Sequence, residues 1–115
     1  YLNIFDYLPW EEKNINNKII EFFDWELDPT LDTTWRIGDG TTAFYNYIYY
    51  MVSGFTENDT FRSNQIREGV LSREKALIMV EKENKPRWDA IRWYCNVAHI
   101  DFEKTLRTIN SMNII

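Results

Sequence analysis

Arg36, Arg62 and Arg67 lie within one stretch, Trp35 to Gly69, together with Asp39, Asn46, Asn64, Gln65 and four of the chain's tyrosines. Guanidinium groups carry a permanent charge near neutrality and present forked donors that match phosphate oxygens in pairs. The three arginines are therefore candidates for gripping an anion: pyrophosphate, a nucleotide, or the diphosphate of a nucleotide sugar. Side-chain amides such as those of Asn46, Asn64 and Gln65 offer both donors and acceptors, which suits reading sugar hydroxyls or an amide. Asp39, between Gly38 and Gly40, can orient Arg36, hold a hydroxyl, or share Mg²⁺ with substrate phosphates. A site is the reading that accounts for so many polar groups beside the chain's most apolar run, because each buried one needs a partner.

Each residue also has a plainer role. The arginines can pair with Asp39, Asp59 or Glu68 to pin loops and helix ends, and an Asp between two glycines is ordinary turn chemistry. Tyr45, Tyr47, Tyr49 and Tyr50 can stack on an adenine or a sugar ring, but at this spacing they equally make core or interface surface. His99 has no second histidine and no nucleophile placed for a triad, and it suits a helix C-terminus. Cys95, the single cysteine, excludes an internal disulfide and a multi-cysteine zinc site, and on the face of Trp88 and Ile91 it should be buried and inert. Trp88 and Trp93 are expected in the core, as are Trp10, Trp25 and Trp35 unless they line an interface. The charge-rich EKENKPR reads as a solvated helix end. No metal site and no catalytic base is assigned.

The elements that position these residues follow from caps and periodicity. Pro9, Glu11 and Glu12 suit the first turn of a helix that carries Ile15, Ile19, Phe22 and Phe23 on one face and stops near Asp24. WELDPTLDTT reads as a loop delivering Trp35 and Arg36. AFYNYIYYMV has high β-propensity, yet Phe44, Ile48, Met51 and Val52 line a helical face, so a buried helix closed by Gly54 is expected. Thr56 caps a helix from Glu57 that Gly69 terminates, and Ser72 caps REKALIMVEKEN with Ala76, Leu77 and Val80 inward. Trp88, Ile91, Cys95 and Ala98 form the next stripe, and Asp101 caps a last helix with Phe102, Leu106 and Ile109. The fold class is all-α: one compact bundle of about six helices spanning residues 1–115, with helix-on-helix packing as the route to a core.

Composition narrows function. At 115 residues and 17% aromatic content the chain can bury a core without staples. A net charge of −5 and a pI near 4.8 disfavour a nucleic-acid surface. No run of about 18 apolar residues is present to span a membrane, and YLNIFDYLPW lacks the basic start of a signal peptide. A cytoplasmic setting is expected.

The strings YLPWEE, TTWRIGDGTTAFYNYIYY, GFTENDTFRSNQIREG and LSREKAL, in this order, resemble the C-terminal part of the N-acetyl sugar amidotransferases of bacterial surface-polysaccharide (lipopolysaccharide and nonulosonic acid) biosynthesis. The resemblance runs from about Tyr7 to about Asn110 and implies an ATP-pyrophosphatase (PP-loop) type enzyme. In such an enzyme a nucleotide-binding α/β domain adenylates an amide oxygen with ATP and Mg²⁺, releasing pyrophosphate. Ammonia from a separate glutaminase then displaces AMP, converting the N-acetyl group of a sugar to an acetamidino group. The Ser-Gly-Gly-x-Asp-Ser pyrophosphate loop of that family is missing here, and no other phosphate-cradling glycine motif replaces it. The chain is thus expected to be a C-terminal fragment of a larger α/β enzyme, binding no cofactor and inactive alone. Its partners would be the nucleotide-binding domain of the same chain and the N-acetylated sugar. The alternatives are a dimerisation or glutaminase-docking module of the same enzyme, or a superfamily member with another substrate.

Overall fold

Threonine, serine and aspartate side chains start three of the helices, each at the position the sequence indicates. The computed structural model describes residues 1–28 and 40–112. Among them are six α-helices and no strand: α1 (Glu12–Phe23), α2 (Thr41–Ser53), α3 (Glu57–Arg67), α4 (Arg73–Glu83), α5 (Trp88–Val97) and α6 (Phe102–Asn110). Thr56 caps α3 by accepting from the Asn58 N–H, while Asp59 reaches back to the Thr56 N–H at 2.8 Å, a reciprocal capping box. Ser72 accepts from the Lys75 N–H, and Asp101 from the Lys104 N–H at 2.6 Å. Gly54 and Gly69 follow α2 and α3 in left-handed backbone, with φ of 74° and 72°.

The chain divides into two units, Tyr1–Ile37 and Gly38–Ile115. In the first, a 3₁₀ turn (Ile4–Asp6) precedes α1, and Phe5 meets Trp10 edge to face at 5.2 Å. The expected apolar stripe of α1 forms a helix but is not interior: none of its residues is buried, and Phe22 and Phe23 are exposed. Among the described residues of this unit, one helix and one turn offer too little surface to cover it.

In the second unit α2, α5 and α6 pack on one another around Ala43, Tyr47, Ile91, Cys95 and Ile109. Tyr47 spans the group, its hydroxyl donating to Asn110 Oδ1 at 2.7 Å and its ring meeting Trp88 edge to face at 5.1 Å. Phe44 stacks on Tyr94 with centroids 5.1 Å apart. AFYNYIYYMV is therefore helical, as its apolar spacing indicates. Gly40 opens α2 with φ of 78°, and a Cβ there would fall 2.5 Å from the Ala90 carbonyl oxygen. The turn is glycine because the backbone passes against α5.

α3 and α4 pair as a second layer of different composition. Their buried residues are Arg62, Gln65, Ala76 and Glu83, with Thr56 at the α3 cap. Leu77, expected inward, is exposed, because the buried stripe of α4 runs through Ala76 and Glu83 and leaves Leu77 to its side. Trp93, expected in the core, is 53% exposed, and Trp88 and Trp25 are about two-fifths exposed. Trp93 sits two residues from both Ile91 and Cys95, so the stripe that buries them turns it outward.

Candidate functional site

α3 carries four of the sequence candidates and divides them between its two sides. Arg62 and Gln65, three residues apart, turn inward. Arg62 Nε donates to Glu83 Oε2 at 3.1 Å, its Nη2 donates to Glu83 Oε1, and its Nη1 donates to Gln65 Oε1 at 2.8 Å. Both members of the ion pair are almost wholly enclosed, with side-chain exposures of 2% and 1%. Two carboxylate oxygens against a guanidinium edge make a bidentate pair, the geometry in which the attraction best offsets desolvation. This guanidinium is committed to holding α3 against α4.

Asn64 and Arg67 lie on the other side. Arg67 is exposed, its Nη1 donating to Ser63 Oγ at 3.0 Å and its Nη2 to Asn64 Oδ1. Such surface bonds within one helix are weak and readily exchanged for a ligand. Arg36 and Asp39 lie outside the described residues.

A second polar network closes the base of the α3–α4 pair. Thr56 Oγ1 lies 2.5 Å from Asn84 Oδ1, and Asn84 Nδ2 donates to Asp59 Oδ2 at 2.8 Å. Asn46 on α2 reaches the same region, donating to Glu57 Oε1 at 3.1 Å and accepting from the Glu57 N–H at 3.3 Å. A narrow cleft runs along this junction, walled by Ala43, Asn46, Tyr47 and Tyr50 on one side and by Glu83 to Arg87 on the other. Arg87 is partly buried there, and burial lowers its pKa.

Elsewhere in the second unit, Phe44, Ile48, Ile100, Ile109 and Met112 line an open, mainly apolar groove of about 540 Å³ with His99, Asp101 and Lys104 at its polar positions. His99 follows α5 in left-handed backbone, φ of 57°. Cys95 is fully buried, and its burial pushes the thiol pKa up, the nearby Arg92 charge opposing it. Of the four tyrosines, Tyr47 is core, Tyr45 and Tyr49 form an exposed pair with centroids 4.6 Å apart, and Tyr50 borders the cleft.

Glu83 differs from expectation: EKENKPR reads as a solvated helix end, yet Glu83 is enclosed. Ala76, Val80 and Glu83 fall at i, i+4 and i+7 on α4, so its place on the inward stripe was written in the spacing. Arg62 pairs with Glu83, and Asp59 serves the α3 cap.

Among the described residues no group of three or more His, Cys, Asp or Glu could hold a metal ion, and no helix is long and apolar enough to cross a membrane. Comparison with protein families, curated proteins and solved structures found no match to this chain.

Proposed function

We propose that this chain is the substrate-positioning region of an ATP-dependent, AMP- and pyrophosphate-forming amidotransferase that converts a sugar N-acetyl group to an acetamidino group in bacterial surface-polysaccharide biosynthesis. The ordered set of strings ending in GFTENDTFRSNQIREG and LSREKAL supports the reading. The observation that carries the assignment of roles is the division of α3, which buries Arg62 against Glu83 and leaves Asn64 and Arg67 facing outward. In this reading Arg62 and Gln65 fix the helix, while Arg67 and Asn64 meet the phosphates and hydroxyls of the nucleotide sugar. Holding the acetamido oxygen in line with the ATP α-phosphate lowers the barrier through geometry and fixed charge. ATP and Mg²⁺ belong to the nucleotide domain of the full-length cytoplasmic enzyme, and a separate glutaminase supplies ammonia.

The test is ATP–pyrophosphate exchange on the full-length enzyme with a panel of UDP-N-acetylated sugars. Sugar-dependent exchange lost in folded Arg67→Ala and Arg36→Ala variants supports the assignment. Exchange that no sugar stimulates removes the substrate class.

A second reading has its own observation. Tyr45, Tyr49 and Tyr50 are exposed along α2, and tyrosine is enriched at interface hot spots. A dimerisation or glutaminase-docking face accounts for them, and exchange unchanged in both arginine variants together with loss of association in Tyr45→Ala/Tyr49→Ala would favour it.

A further inference from the structure

We propose that the α3–α4 hairpin is an arm that swings as a rigid body about its base, with Asn46 and Glu57 as the latch that sets its angle to the α2–α5–α6 core. Three observations carry this. The apolar core draws its members from α2, α5 and α6, including the partly buried Phe44, Ile48, Phe102 and Leu106, and none comes from α3 or α4. Nonpolar burial is the main cement between packed layers, and here it does not cross from core to arm.

The arm, in contrast, is clamped within itself. Arg62 on α3 is bonded to Glu83 at the end of α4, with Gln65 of α3 holding the same guanidinium, and Thr56, Asp59 and Asn84 close the base. A unit held this way keeps its own geometry when its outer contacts change.

Both connections to the core suit a hinge. Gly54 has left-handed backbone with nothing within 4 Å of a Cβ position, and a glycine can take up the φ/ψ change a hinge requires. Lys85 and Pro86 form the return connection, bordering the narrow cleft between α2 and the end of α4. Across this junction the reciprocal Asn46–Glu57 hydrogen bonds tie α2 to the first residue of α3. Opening the latch widens the cleft and frees the buried Asn46 for contact. The swing is a property of the chain whatever its substrate.

The motion is read by electron spin resonance distances on the full chain, with spin labels at Glu68→Cys in the α3–α4 turn and Glu103→Cys on α6. Both sites are exposed, and the enclosed Cys95 stays unlabelled. An 11-residue helix is roughly 16 Å long, so a swing of about 30° moves the tip by about 8 Å. The expected result is one distance in the parent and a second population, shifted by about 8 Å, when Asn46→Asp sets a carboxylate against Glu57 or Asn46→Ala removes the amide, with far-UV helicity unchanged in both. A single unshifted distance in parent and both variants overturns the proposal. So does loss of helicity in either variant, since an arm that melts on release is not a rigid body.

Discussion

Arg62 on α3 and Glu83 on α4, 21 positions apart, meet edge to edge in an almost fully enclosed ion pair, with Gln65 Oε1 accepting a third guanidinium bond. Pairing lets both charges occupy that space at tolerable cost, and its energetics follow from that. Removing one partner strands a buried charge, whereas removing both leaves a hydrocarbon problem.

The Arg62→Ala and Glu83→Ala variants are each expected to lose about 3–5 kcal/mol of stability in urea unfolding. The double variant Arg62→Met/Glu83→Leu is expected within about 1–2 kcal/mol of the parent, because buried pairs are often replaceable by apolar residues of similar size. A double variant as unstable as either single would show that the pair supplies more than mutual neutralisation.

Gly40 and Gly54 share left-handed backbone but differ in surroundings, which separates two costs. Gly54→Ala meets open space and should cost only the conformational term, about 1 kcal/mol. Gly40→Ala also drives a methyl to 2.5 Å from the Ala90 oxygen and 2.9 Å from the Tyr94 Cβ, so α5 must shift. A loss of about 2–4 kcal/mol is expected from strain plus overpacking. Equal midpoints for the two variants would contradict the close approach.

His99 occupies a left-handed position where the Ile100 N–H bonds back to the Cys95 carbonyl at 2.9 Å. Glycine is the residue suited to such a helix stop. His99→Gly is expected to raise stability by about 0.5–1 kcal/mol in thermal melts, and His99→Val to lower it.

Burial raises the pKa of Cys95 above the ordinary 9.0, so the folded state holds its proton more tightly than the unfolded chain. The resulting stability is fully present below about pH 9 and is lost as pH rises from there through the folded value. Cys95→Ala should flatten this alkaline decline while lowering stability at neutral pH through the cavity it leaves. In the parent, thiol-reagent labelling should be slow at pH 8 and should accelerate with urea in step with unfolding.

Local signals located most of these elements. The caps Thr56, Ser72 and Asp101 and the stops at Gly54 and Gly69 act over three or four residues, so their chemistry is complete within a short string. Burial was legible where one face had a clear partner, as with Ile91 and Cys95, and misleading where it did not. Phe22 and Phe23 share a face that no described residue of their unit buries, and Trp93 lies off the stripe that its neighbours define. Arg62 was visible as a charged residue of consequence, but its role depended on a carboxylate brought by another helix, which no local spacing around Arg62 encodes. Arg36 and Asp39 lie outside the described residues, and Arg36 is one of the three arginines of the expected anion grip.

The polar interior shared by α3 and α4 also bears on how the protein responds to cold. The heat-capacity change of unfolding comes mainly from apolar surface newly exposed to water, and polar surface acts in the opposite sense. A hairpin whose enclosed side chains are an arginine, a glutamine, a glutamate, a threonine and one alanine adds little to it. The α2–α5–α6 core, built on Ile91, Tyr47 and Ile109, supplies the curvature of the stability curve. On cooling, the core should therefore weaken while the hairpin holds.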